Sequence, residues 1–285
     1  MNVPATLPFL WMLLGSLAFA LMSTLAHELR EAYDWQVVAL VRAGLVLVIA
    51  ALLALAGRAR LVLWRPGTLW LRSIAGSISL VCTFFALTRL PVSDVLTLTN
   101  MFPLWVALLS WPMLQEPPSA GVWLAILCGL TGVVLIQRPH FAEGNFATAA
   151  ALVASVSTAF AMIGLHRLRN LDVRAIVVHF SAVAVLFCLG SWFLGQPSAG
   201  MPNPLAGRPL FMLLGVGVAA TVGQLFLTKA FAAGPPAQVS VVALTQVVFA
   251  MALEILFLHR SFERTTLVGM ALVMAPTAWI IRTRI

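Results

Sequence analysis

Apolar residues run through this chain in blocks of about twenty, divided by short breaks that carry charge, proline or glycine. A helix crossing ~30 Å of hydrocarbon needs about 20 mostly apolar residues. Cutting the chain at its breaks gives ten such blocks. The first five cover 9–26, 35–56, 68–88, 92–114 and 121–137, and the second five cover 146–166, 173–194, 209–232, 236–258 and 265–281. The breaks are short apart from Gly195 to Arg208, and none has room for a soluble domain. The pattern predicts an all-α, polytopic membrane protein with ten transmembrane helices in one membrane domain.

The blocks also repeat. An offset of 144 residues lays Ala86-Leu-Thr-Arg-Leu-Pro91 on Ala230-Phe-Ala-Ala-Gly-Pro235, span four on span nine, and span five on span ten. Few residues are identical, so the register of helices and breaks carries the repeat. Five helices per half is an odd number, which turns the second half over relative to the first. Residues 1–140 and 141–285 are the expected inverted repeats. Such repeats recur in secondary transporters, with the substrate site at their interface near the bilayer midplane.

Composition supports lipid as the solvent. Hydrophobic residues make up 61% of the 285 and charged residues 9%, against about 25% charged in soluble domains. A net charge of +8 would suggest nucleic acid in a soluble protein. Here the basic residues sit between apolar blocks, where the positive-inside rule and anionic headgroups account for them. No nucleic-acid partner is expected. Cys82, Cys128 and Cys188 lie inside apolar blocks and read as packing residues. The first block lacks a positive n-region and a small-residue cleavage site, so it reads as a retained helix.

Charge also sets an expected orientation. With the amino terminus inside, Arg58, Arg60, Arg65, Arg72, Arg167, Arg169, Arg174, Lys229, Arg282 and Arg284 lie at cytoplasmic ends. Arg30, Arg89, Arg138, Arg208, Arg260 and Arg264 lie at outer ends. That bias places both termini in the cytoplasm of a bacterial inner membrane.

Several segments resemble the drug/metabolite transporter superfamily, EamA type. They are Arg72-Ser-Ile-Ala-Gly76, Phe84-Phe-Ala-Leu87 with Leu90-Pro91, Phe102-Pro103-Leu104, Leu114-Gln-Glu116 and Gly129-Leu-Thr-Gly132 running on to Arg138-Pro139. Gly223-Gln-Leu-Phe-Leu-Thr228-Lys-Ala230 with Pro235 is similar to that group's eighth helix, and Arg42 stands where its members often carry Arg. The resemblance implies two inverted five-helix halves and a central cavity lined mainly by helices 1, 3, 4, 6, 8 and 9, worked by alternating access. Its substrates are varied organic solutes. Three positions depart from the pattern: Arg260 where an acidic match to Glu116 is usual, Pro276 opposite Gly132, and Glu254 where a small residue is common.

No enzyme constellation is present: there is no HExxH, GxSxG, phosphate loop or CxxC, and the five His are scattered. Neither a cofactor nor a metal site is expected. Intramembrane charges are costly and so are functional candidates. Arg42 and Glu254 both fall in the outer third of their spans and could pair, which would make Glu254 a proton-coupling group. Snorkelling for Arg42 and an interfacial or protonated carboxyl for Glu254 compete with that reading.

Asn100, Gln224 and Gln246 carry amides that their own helices cannot fully satisfy, so they lead the candidates for substrate binding. Thr99, Thr228, Thr245, His179 and Trp105 complete the set. Thr hydroxyls often bond back to their own helix, His179 and Trp105 equally suit packing, and glycines such as Gly76 and Gly132 suit close helix contact. The expected function is a secondary transporter of a small organic solute, with proton coupling and exchange both open. It would act as a monomer or weak homodimer. The competing reading is a membrane receptor or sensor that does not transport.

Overall fold

A computed structural model of the chain describes residues 4–29, 32–87, 89–140, 146–194, 207–258 and 263–283. Twelve helices make ten spans long and apolar enough to cross a membrane. They are α1 (Leu7–Glu28), α2 (Trp35–Ala56), α3 (Gly67–Leu87), the pair α4 (Val92–Thr99) and α5 (Phe102–Leu114), and α6 (Ala120–Gln137). The second half has α7 (Phe146–Arg167), α8 (Val173–Leu194), α9 (Gly207–Ala233), the pair α10 (Pro236–Ala243) and α11 (Thr245–Leu258), and α12 (Arg264–Arg282). The boundaries agree with the hydropathy blocks to within two residues. Arg260 lies outside the described residues.

Spans four and nine are each broken in the middle, and the breaks correspond. Helix α4 ends before Asn100 and α10 before Leu244, 144 residues apart. Pro103, the second residue of α5, has no N–H to give the Thr99 carbonyl, so the ladder fails one turn earlier. The chain tightens there, and Met101 N–H bonds to the Leu98 carbonyl three residues back at 3.2 Å. No proline interrupts span nine. Leu244 N–H bonds three back to Val241 at 3.1 Å, and the Thr245 hydroxyl donates to the Val242 carbonyl at 2.7 Å. Pro276, by contrast, leaves α12 unbroken.

Helix pairing obeys the repeat. Numbering spans one to ten, α1 against α9 pairs spans one and eight, and α3 against α7 pairs spans three and six. Exchanging spans five apart converts one pair into the other. It likewise converts α2·α9 into α8·α3, and α1·α11 into α7·α5. The pairs α2·α8 and α6·α12 map onto themselves. This is a two-fold relation between inverted halves.

Close contact needs small residues where the axes meet. A Cβ on Gly132 of α6 would stand 2.6 Å from the Gly269 carbonyl of α12, and one on Gly269 would stand 2.8 Å from that of Gly132. Backbone fills both sites. At one end of α8, Asp172 caps the helix by accepting Arg174 N–H at 2.8 Å, and also takes the Arg174 guanidinium. That guanidinium reaches the Leu53 carbonyl at the end of α2, through space that Gly57 leaves open. The outward faces are apolar: Leu55, Leu124 and Phe211 are largely exposed, and Phe193 is 82% exposed. Lipid is the medium that accepts such a surface.

Candidate functional site

A cavity of about 250 Å³ lies among α1, α2, α3, α5, α7, α8, α9 and α11. The long helices position its walls, and the broken spans reach it at Phe102, just beyond one break, and at Ala243 and Gln246, on either side of the other. Much of the lining is apolar and polarisable: Met12, Phe19 and Met22 from α1, Phe84 from α3, Met162 from α7 and Phe180 from α8. Such residues accept a variable ligand surface without demanding hydrogen bonds. The polar lining is small and specific: Arg42, Arg72, Ser79, Thr83, Thr158, Gln224 and Gln246.

Ser79 and Thr158 satisfy each other across α3 and α7 at 2.6 Å; Thr158 gives its proton to the Ala154 carbonyl, so Ser79 is the donor between them. The other polar groups are not satisfied in this way. Among the described residues, neither Gln224 nor Gln246 makes a side-chain hydrogen bond, although Gln224 is only 6% exposed. Among the described residues, Arg42 and Arg72 find neither a hydrogen-bond nor an ion-pair partner. Arg72 is 2% exposed, lies 4.2 Å over the Phe180 ring, and has an Nε with no acceptor. Gly76 leaves the space that the Arg72 guanidinium and Phe180 fill. A narrow extension of about 10 Å³, room for one water, continues from Arg42 and Gln224 past Phe180 to Ser181.

The candidates drawn from sequence divide in two. Gln224, Gln246 and Arg42 come to the cavity. The others lie off its wall and have partners of their own. Asn100 donates its amide to Leu96 at 2.7 Å, and Thr99 bonds back to Val95. Thr228 bonds back to Gln224, and Thr245 to Val242. Trp105 donates to Ser155 at 3.0 Å. The Nε2 of His179 faces the Leu63 carbonyl at 3.1 Å and so carries the proton, which leaves Nδ1 to accept from Ser73 at 2.7 Å. Glu254 lies off the cavity wall and makes no ion pair with Arg42.

Sequence reasoning assigned Arg72 to the cytoplasmic interface, yet it lies inside the cavity wall. Its depth, the sixth residue of a 21-residue helix, was the available signal. Phe180, Ser79 and Thr158 carried no signal apart from their apolar or helical surroundings.

Ten apolar spans, an inverted repeat, two matched helix breaks and a cavity lined by both halves define the class: a multi-pass membrane transporter of small solutes. The chain belongs to the EamA-like transporter family, within the drug/metabolite transporter superfamily, and matches that family twice, over residues 6–138 and 145–282. It is not an enzyme. It is 28% identical over 278 residues to the pseudopaline exporter CntI of Pseudomonas aeruginosa, covering 95% of this chain and 94% of that one. It is 27% identical to the probable transport protein YPL264C of Saccharomyces cerevisiae, over 78% of this chain and 70% of the relative. It is 25% identical to human solute carrier family 35 member G1, over 66% and 55%. A crystal structure with 18% identity superposes with a TM-score of 0.80 and covers 96% of both chains. That likeness shows the fold.

Proposed function

We propose that the protein is a secondary transporter that moves a small organic metabolite across a bacterial inner membrane by alternating access through the 250 Å³ cavity. Gln224 and Gln246 bind the solute there, and both termini face the cytoplasm. The observation that carries the reading is a pair of amides that point into one cavity and lack partners in the protein. A buried polar group without a partner costs about 1–3 kcal/mol. A ligand that supplies the hydrogen bonds removes that cost, which gives the amides a reason to be there.

Matched breaks at Asn100 and Leu244 support the mechanism, because half-helices give two jointed elements beside the site. Similarity to a protein named as an exporter supports outward transport. Coupling through Glu254 would have to act at a distance from the cavity. The reading of two repeats, 1–140 and 141–285, is supported by the helix pairings.

The test is flux in proteoliposomes loaded with a bacterial metabolite extract. Purified protein should release a defined subset of solutes, and Gln246→Leu should weaken the apparent affinity for them about 5- to 150-fold, the equivalent of 1–3 kcal/mol. A receptor without transport would release nothing. Unchanged kinetics in Gln246→Leu would remove that residue from the site.

A further inference from the structure

We propose that the transported solute is an organic oxyanion, whose carboxylate or phosphate group is held by Arg42 and Arg72. The proposal rests on the transport reading for its direction and purpose, but binding can be examined separately. Arg42 and Arg72 enter the cavity from neighbouring helices and adjoin the same ring: Arg72 stacks on Phe180, and Arg42 lines the narrow extension with it. Neither cation has a carboxylate, carbonyl or hydroxyl partner among the described residues. Among the described residues, no Asp or Glu lines the cavity.

Two arginines nearer the surface behave differently. Arg138 pairs with Glu263 and Arg174 with Asp172, at sites where water could solvate them anyway. Arg42 and Arg72 thus face the cavity without a counter-charge among the described residues. Arginine cannot shed its proton to escape that cost. Its planar fork matches carboxylate and phosphate oxygens two at a time, which makes an oxyanion the fitting ligand.

The remaining lining limits the rest of the molecule. A volume of about 250 Å³ exceeds what a single inorganic ion fills. Gln224, which shares the narrow extension with Arg42, and Gln246 add hydrogen-bonding capacity beside the charge, and the Met and Phe wall suits a carbon skeleton. A cationic solute would meet two fixed positive charges in a poorly screened space.

The experiment uses the full chain and a bacterial metabolite extract as probe, in two arms. In the flux arm, proteoliposomes are loaded with the extract and released solutes are identified by mass spectrometry. The expected result is that released solutes carry net negative charge at pH 7. Arg42→Gln should raise their half-saturation about ten- to hundred-fold, the range for one charge-assisted hydrogen bond, with Arg42→Lys in between. Release of only neutral or cationic solutes overturns the anion proposal and leaves the transport reading standing.

If nothing is released, transport fails and the binding arm decides the anion question. Detergent-purified protein is equilibrated with the same extract, and retained solutes are compared with those of Arg42→Gln and Arg72→Gln. Retention of organic carboxylates or phosphates that Arg42→Gln abolishes supports the site. Retention of phospholipid or inorganic phosphate alone, or retention unaffected by Arg42→Gln, overturns it. Arg42 is only half-buried, so its variant is expected to fold even if Arg72→Gln does not.

Discussion

The first half of the chain brings Arg42 and Arg72 to the cavity, and the second half brings Gln224 and Gln246. The mirror positions hold different chemistry. Arg42 is the eighth residue of α2, and the eighth residue of α8 is Phe180. At an offset of 144, Arg72 corresponds to Val216, Leu80 to Gln224 and Phe102 to Gln246. Phe180, Leu80 and Phe102 also line the cavity, whereas Val216 is 1% exposed and packed with Leu29, Tyr33, Val38 and Leu213. Symmetry therefore supplies the walls and the matched breaks, and divergence supplies the chemistry. A cavity built this way takes its fixed charge from one half and its amides from the other.

The largest expected effect comes from forcing the mirror of Arg72. In Val216→Arg, a charge enters a packed cluster with no cavity beside it, and an unpaired buried ion costs several kcal/mol. Total stability is only about 5–15 kcal/mol, so the variant should fail to give a monodisperse peak in fluorescence-detected size exclusion. A normal peak at wild-type yield would show that the two halves are interchangeable at this position.

A smaller effect comes from moving an amide across the two-fold. Gln224→Leu should weaken solute affinity about 5- to 150-fold, equivalent to 1–3 kcal/mol. Adding Leu80→Gln places an amide at the mirror position in the same cavity. Flux assays on the double variant should recover part of the affinity. Recovery of none would mean that the position of the amide, and not its presence in the cavity, controls binding.

The smallest effect concerns a pairing that only one half makes. The mirror of Asp172 is Asp34, whose side chain makes no cap hydrogen bond to α2, and the mirror of Arg174 is Gln36. Burial alone would raise the Asp172 carboxyl, but hydrogen bonds and charge from Arg174 outweigh it and hold the group below its ordinary value of 3.8. A lowered carboxylate stabilises the folded state at pH above the ordinary value and loses that contribution as pH falls through the folded value. Asp172→Asn should therefore lower stability by about 1 kcal/mol near pH 7, a typical worth for an exposed pair. The difference in melting temperature from wild type should vanish on acidification below pH 3.8. A difference that persists unchanged into acid would assign Asp172's contribution to capping alone.

Hydropathy, helix number and the inverted repeat were legible because lipid imposes them residue by residue. Each span must be apolar along its length and satisfy its own backbone, so the signal is local. The break in span four has a local cause in Pro103, although hydropathy alone reads 92–114 as one block. The break in span nine has no proline and was not legible.

The site was legible only in part. Gln224 and Gln246 were picked out because an amide in an apolar helix has groups that the helix cannot satisfy. Asn100 met the same criterion, yet it turns its amide to the Leu96 carbonyl. Nothing in composition or spacing distinguishes the two outcomes, because rotation about the helix axis decides which side chains meet the cavity. Arg42 was marked by its depth, as was Glu254, and of the two only Arg42 lines the cavity. Arg72 was read as an interfacial charge, and packing against Phe180 in the space beside Gly76 made it part of the cavity wall. The sequence by itself determined that this chain spans a membrane ten times in two inverted halves, since solvent acts on every residue separately. Only the tertiary structure decided which polar groups share a cavity, since that depends on how six or more helices are turned toward one another.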